Sequence, residues 1–172
     1  MQSLDDLPDG ATVYIDTSIF VAHHSSHPVQ GRPSTQFLKR IEAEGIRGVI
    51  SALVIEETSY VLLKLKAMEL LQSKKHYEIL QNLKEKQIFS QCISAVDQHI
   101  EYVEHLETSG NLSVISRIPS MKYMLTLCKR YGLLMRDGIH LATLLRENLS
   151  DIATADADFE RTPLLTVWTP GL

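Results

Sequence analysis

The sequence predicts an α/β fold in which a central, mainly parallel sheet is flanked by helices. Three observations carry this reading. Short runs rich in β-branched and aromatic residues recur along the chain, stretches with apolar residues at helical spacing separate them, and Gly, Pro, Ser and Asp stand at the joints.

Ala11-Thr12-Val13-Tyr14-Ile15 follows the turn formers Pro8-Asp9-Gly10 and predicts a buried strand ending at Asp16. Pro33-Ser34-Thr35 opens a helix over 36–44, with Phe37, Leu38 and Ile41 on one face and Gly45 as its stop. The residues between, which include His23, His24 and His27, read as a solvated loop. Gly48-Val49-Ile50 gives a second short strand. Ser51 is placed to cap the next helix, which runs through Val54, Thr58, Val61, Leu62 and Leu65. From about 66 to 110 the pattern is helical (Leu70, Leu71, Tyr77, Leu80, Leu83, then Ile100, Val103, Leu106), a hairpin or insertion that Gly110 and Asn111 break. Residues 112–115 form another strand. Pro119 starts a helix through Tyr123, Leu127 and Tyr131 that Gly132 ends. A helix over about 136–148, a strand at 151–154, a turn at 155–162 and a strand at 164–168 complete the chain.

Composition sets the outer limits. At 172 residues the chain has the size of one domain spanning 1–172, able to bury roughly 70% of its unfolded surface. Its 44% hydrophobic content excludes the composition of a disordered chain. Cys92 and Cys128 form no CxxC pair, so neither a disulfide framework nor a zinc knuckle is expected. The acidic, polar first ten residues are unlike a signal peptide, and no apolar run approaches spanning length. A cytoplasmic protein without membrane attachment is the expectation. A net charge of -4 argues against coating nucleic acid by bulk electrostatics.

Four acidic residues stand where an open parallel sheet binds ligands, beyond the carboxyl ends of its strands. Asp16 closes the first strand, Glu57 lies early in the helix after the second, Asp137 opens a helix, and Asp156 follows the strand at 151–154. Each has a plain structural explanation as a cap or turn residue. Asp16 is the hardest to dismiss, because an unpaired charge at a buried strand end is costly. Carboxylates converging there would repel one another unless a hard divalent ion such as Mg²⁺ or Mn²⁺ neutralised them.

Val13-Tyr14-Ile15-Asp16-Thr17-Ser18, Ser51-Ala52-Leu53-Val54-Ile55-Glu56-Glu57, Arg136-Asp137-Gly138-Ile139-His140-Leu141-Ala142-Thr143 and Ala153-Thr154-Ala155-Asp156-Ala157-Asp158-Phe159, in that order, resemble the PIN-domain nucleases. Within them they resemble the VapC-like toxins of toxin-antitoxin pairs. The resemblance implies a PIN-like three-layer fold and an endoribonuclease that hydrolyses phosphodiesters with water activated at a carboxylate-held Mg²⁺ or Mn²⁺. It implies Asp16 as the central metal ligand, completed by Asp137 and Asp156. Glu57 would bind metal or orient the attacking water, and Asp158 would support the site or serve a second ion. The partners implied are an RNA substrate and an antitoxin protein.

Thr17, Ser18 and Thr154 are hydroxyls beside these carboxylates and suit hydrogen bonds that fix their orientation. His140 reads as packing or as a carboxylate hydrogen bond. Glu56 and Glu57 point about 100° apart on a helix, so only one faces the site, and the family's spacing selects Glu57. Ala157 departs from the family, where that position is often polar or basic. Lys64, Lys66, Lys74, Lys75, Lys84 and Lys86 form either an RNA-facing wall or a solvated face. The Leu-rich stripe of the same helices is core or the interface of a homodimer. A PIN nuclease of RNA processing or of structured DNA, and a non-catalytic PIN-like binding module, are the alternatives. An aspartyl-phosphate phosphatase fits poorly, since the position two residues after Asp16 is Ser18.

Overall fold

A computed structural model describes residues 1–171. Among them, six strands form one sheet in which every neighbouring pair is parallel, so the expected parallel α/β architecture is the one observed. The strands are β1 (Gln2–Ser3), β2 (Thr12–Ile15), β3 (Arg47–Ser51), β4 (Leu112–Ile115), β5 (Asp151–Ala153) and β6 (Thr166–Thr169), in the spatial order β1-β6-β5-β2-β3-β4. From β2 the chain adds β3 and β4 on one side and then returns to place β5 and β6 on the other. The strand order therefore reverses between β2 and β5, and the crevice such a reversal opens is where parallel sheets bind ligands.

The helices are α1 (Thr17–His24), α2 (Gly31–Glu42), α3 (Ala52–Leu71), α4 (His76–Asn82), α5 (Lys86–Cys92), α6 (Ser94–Ser109), α7 (Met121–Tyr131) and α8 (Met135–Arg146). Val13, Tyr14, Ile15, Val49, Ile50, Ile152 and Val167 of the central strands are buried against Phe20, Phe37, Leu38, Ile41, Val54, Val103 and Leu106 from the helices. These near-continuous apolar strands are what a sheet covered on both faces requires. A second cluster joins α7 to α8 through Met124, Leu127, Cys128, Leu141 and Ala142. Ala67, Ile79 and Cys92 make a small third one in the insertion. No helix among the described residues is long and apolar enough to cross a membrane.

Three local expectations are corrected. Residues 17–24 are helical: Asp16 accepts from the Ser18 N–H at the N-cap, and Ile19, Phe20 and Ala22 are buried, a signal too short to show in the pattern. His23 and His24 end that helix, where His24 Nε2 lies 3.1 Å from His99 Nδ1 and His23 stacks on Tyr102, so only His27 matches the solvated reading. Ser51 precedes α3 but makes no side-chain cap bond. Its hydroxyl turns instead to Tyr14. β1 at the sheet edge had no apolar run to announce it. The Gly132 stop stands as expected, with φ 67° in the left-handed region that closes α7.

Candidate active site

The site begins with three adjacent strands ending on one rim. β3, β2 and β5 lie side by side and deliver Ser51, Asp16 and Thr154 to the same carboxyl end. Asp16 is 8% exposed. Its Oδ2 accepts from the Ser18 hydroxyl at 2.6 Å, from the Thr154 hydroxyl at 2.8 Å and from the Ser18 N–H at 3.3 Å. These two hydroxyls also receive backbone donors from the neighbouring loop: Ala155 N–H to Ser18 Oγ at 2.9 Å and Asp156 N–H to Thr154 Oγ1 at 3.0 Å. The loop carrying Asp156 is thus stitched to the loop carrying Asp16. Asp156 itself is exposed; its Oδ1 accepts from the Asp158 N–H at 2.8 Å and caps the 3₁₀ turn Ala157–Arg161. Asp158 pairs with Arg161 at 2.8 Å.

Glu57, not Glu56, turns inward: it is 6% exposed while Glu56 faces solvent. Oε2 accepts from the Thr17 hydroxyl at 2.8 Å and lies 3.0 Å from His140 Nε2, and Oε1 lies 3.2 Å from the Arg136 guanidinium. Burial pushes the Glu57 carboxyl up, but the hydrogen bond and charge of His140, with Thr17 and Arg136, outweigh it and hold the group below its ordinary value. Burial lowers His140, but its bond to Glu57 and the charges of Asp16, Glu57 and Asp137 leave it above the ordinary histidine value. The other ring nitrogen, Nδ1, lies 2.8 Å from Tyr14 Oη, which in turn is 2.8 Å from Ser51 Oγ. Burial drives the Tyr14 phenol up despite the Ser51 bond, so it stays a neutral hydroxyl.

Asp137, in the first turn of α8 and half-buried, records how close the acids are. Burial raises its carboxyl; the negative charge of Asp156 adds to that, as do Asp158 and Asp16, against a lowering by His140. Asp16, Asp137, Asp156 and Asp158 therefore share one field, and Glu57 enters it through Thr17, which directly follows Asp16. Among the described residues no three His, Cys, Asp or Glu side chains are grouped to hold a metal ion as they stand. What fits a cation is the donor chemistry: hard carboxylate oxygens from separate elements, repelling one another, which suits Mg²⁺ or Mn²⁺ far better than a soft ion.

Residue spacing did not single out Arg136 or Tyr14. His140, three residues after Asp137 and so on the same helix face, was read as packing or a carboxylate hydrogen bond, and the structure gives it such a bond, to Glu57. Tyr14 looks in sequence like any buried strand residue. Lys64 and Lys66 lie on α3, and Lys74, Lys75, Lys84 and Lys86 on the stretch that follows it; Lys66 pairs with Glu69 at 2.8 Å and Lys64 lies over the Tyr60 ring at 5.3 Å.

A family model described as the PIN domain matches residues 13–165. Among solved structures, VapBC2 from Rickettsia felis bound to a DNA fragment from its promoter aligns at TM-score 0.52 and 18% identity, covering 92% of this chain and 98% of that one. A protein from Pyrobaculum aerophilum aligns at TM-score 0.53 and 14% identity over 94% and 90% of the two chains. Comparison with curated sequences gives no significant match.

Proposed function

Because the chain belongs to the PIN-domain family of nucleases, whose members generally use a divalent metal, we propose that it is a metal-dependent endoribonuclease with Asp16 at the centre of its site. Asp16, Asp137, Asp156 and Asp158 are the residues that would hold Mg²⁺ or Mn²⁺. The bound ion supplies a water of lowered pKa and a positive charge for the phosphate. Glu57, kept ionised by Thr17, His140 and Arg136, accepts a hydrogen bond from the attacking water and aims it. Thr17, Ser18 and Thr154 lock the carboxylates in place. Arg136, with a side chain 62% exposed beside Glu57, is suited to the phosphodiester anion.

The observation that carries this reading is the gathering of carboxylates on one rim: the Ser18 and Thr154 hydroxyls that donate to Asp16 also receive the backbone of the Asp156 loop, and Asp137, raised first by burial and then by the charges of Asp156, Asp158 and Asp16, lies in the same field, a repulsion that a cation removes. The likeness in fold to VapBC2 supports the further reading that the chain is the toxin of a toxin-antitoxin pair, silenced by an antitoxin that covers the acidic rim. The same proposal takes residues 1–172 as one domain, with an inserted helical stretch over about 66–110 whose exposed Leu70, Tyr77 and Phe89 serve a homodimer.

The test is cleavage of RNA and of flap DNA, side by side, with Mg²⁺ or Mn²⁺, with chelator, and with Asp16→Asn. RNA cleavage should stop with chelator and fall at least about 100-fold in Asp16→Asn. Mn²⁺ at about 100 times its Kd should stabilise the parent by about 2.7 kcal/mol and leave Asp16→Asn unmoved. Metal-dependent cleavage that survives the substitution removes Asp16 from the site, and cleavage of DNA alone removes the word ribonuclease.

A further inference from the structure

We propose that His140 is a positioning residue for Glu57, with its ring set from behind by the hydroxyls of Tyr14 and Ser51. The kinetic part of this inference rests on the nuclease reading, and the geometric part does not.

The imidazole is 2% exposed and has a polar partner at each nitrogen: Glu57 Oε2 at 3.0 Å from Nε2, and Tyr14 Oη at 2.8 Å from Nδ1. An ionised carboxylate only accepts, so Nε2 carries a proton and donates it to Glu57. Tyr14 serves either state of the other nitrogen. If Nδ1 is bare, the phenol donates to it and accepts from Ser51; if Nδ1 is protonated, the phenol accepts and donates on to Ser51. In both cases the ring plane is fixed and Nε2–H is aimed at Oε2.

The chain Ser51–Tyr14–His140–Glu57 joins four elements: the end of β3, β2, α8 and α3. His140 lies one turn after Asp137 on the same face of α8. The ring that holds Glu57 therefore also holds the face of α8 that carries Asp137, so the two carboxylates keep their separation. Burying either nitrogen without a partner would be costly, and because the two partners lie on opposite sides of the ring they fix its plane with Nε2 facing Glu57.

Three variants of the full chain test this. His140→Leu keeps most of the volume and takes one polar partner from each of Glu57 and Tyr14, leaving Glu57 to Thr17 and Arg136 and Tyr14 to Ser51. It should lower kcat for RNA cleavage about 10- to 100-fold while KM stays within about twofold. His140→Gln, whose amide can donate to Oε2, should recover most of the loss. Tyr14→Phe should lower kcat about tenfold or less, and it carries the kinetic test if His140→Leu fails to fold. Independently of activity, the shielded ring N–H of His140 should give a slowly exchanging low-field NMR signal that moves in both Glu57→Gln and Tyr14→Phe. Equal kcat in the parent and in the Leu and Gln variants, with only the melting temperature falling, overturns the proposal, as does a ring signal indifferent to Tyr14→Phe. If the parent cleaves no RNA, the nuclease reading fails, and the NMR signal alone decides whether His140 positions Glu57.

Discussion

Replacing Gly138 by alanine tests how α8 is seated, and with it the placement of Asp137 and His140. A Cβ built at Gly138 would fall far inside van der Waals contact of Cys128 Sγ and 3.4 Å from Met124 Cγ. Both neighbours are buried in the α7–α8 cluster, so the added methyl has no free space to enter. Overpacking of this kind costs about 1 to 3 kcal/mol. The contact with sulfur, fixed on a helix, places Gly138→Ala near the middle, about 2 kcal/mol. For a chain of this length that is a fall in melting temperature of about 6 °C. Cys128→Ala alone should cost about 1 kcal/mol through the void it leaves. Combined, the two substitutions exchange one atom for another across the same gap. The double variant should lose only about 1 kcal/mol, a coupling of about 2 kcal/mol against additivity. Thermal and urea unfolding of the four proteins under one condition measure the cycle. A Gly138→Ala protein that melts within about 1 °C of the parent, or strictly additive effects, would refute the close approach of α7 and α8.

Two further outcomes follow from the charges. Burial, with the charge of His23 acting on His24 and those of His24 and His23 acting on His99, holds both rings down to about 4, against 6.5 when free. The unfolded chain therefore binds protons before the folded one does, and stability should fall as the pH drops from about 6.5 towards 4. The loss should be on the order of 2 kcal/mol after allowing for partial exposure, and His99→Phe, which keeps a ring against Phe20, should flatten it. Asp137→Asn should stabilise the metal-free protein at pH 7, by about 0.5 kcal/mol or less once solvent screening is discounted. The folded carboxyl is raised, so its cost appears as the pH climbs and disappears in acid. Melting curves in chelator across this range check it, and a variant less stable than the parent at pH 7 would contradict the shared field.

The sheet was legible because strands buried on both faces must be apolar, which is why residues 13–15, 49–50 and 152–153 stand out without any alignment. The helical stretches were legible where they were long. α1 was not, since eight residues between a cap and a turn leave too few periods to read, and β1 pairs only two residues at the sheet edge. Of the candidate site, Asp16, Glu57, Asp137 and Asp156 were found by their position at strand ends and helix starts together with the family's motif order. The choice of Glu57 over Glu56 came from that spacing, and its burial agrees.

What the sequence determined by itself is the parallel α/β class, because apolar periodicity is a local property of the chain, and it named the candidate acids from their places at strand ends and helix starts. What only the tertiary structure decided is who holds those acids. The Ser18 and Thr154 hydroxyls on Asp16 Oδ2, the Ser51–Tyr14–His140–Glu57 relay and the seating of Gly138 on Cys128 join residues up to 138 positions apart. Such partners are chosen by which strands lie side by side and which helix faces meet, and that is a property of the packed sheet, carried by no segment of the chain alone.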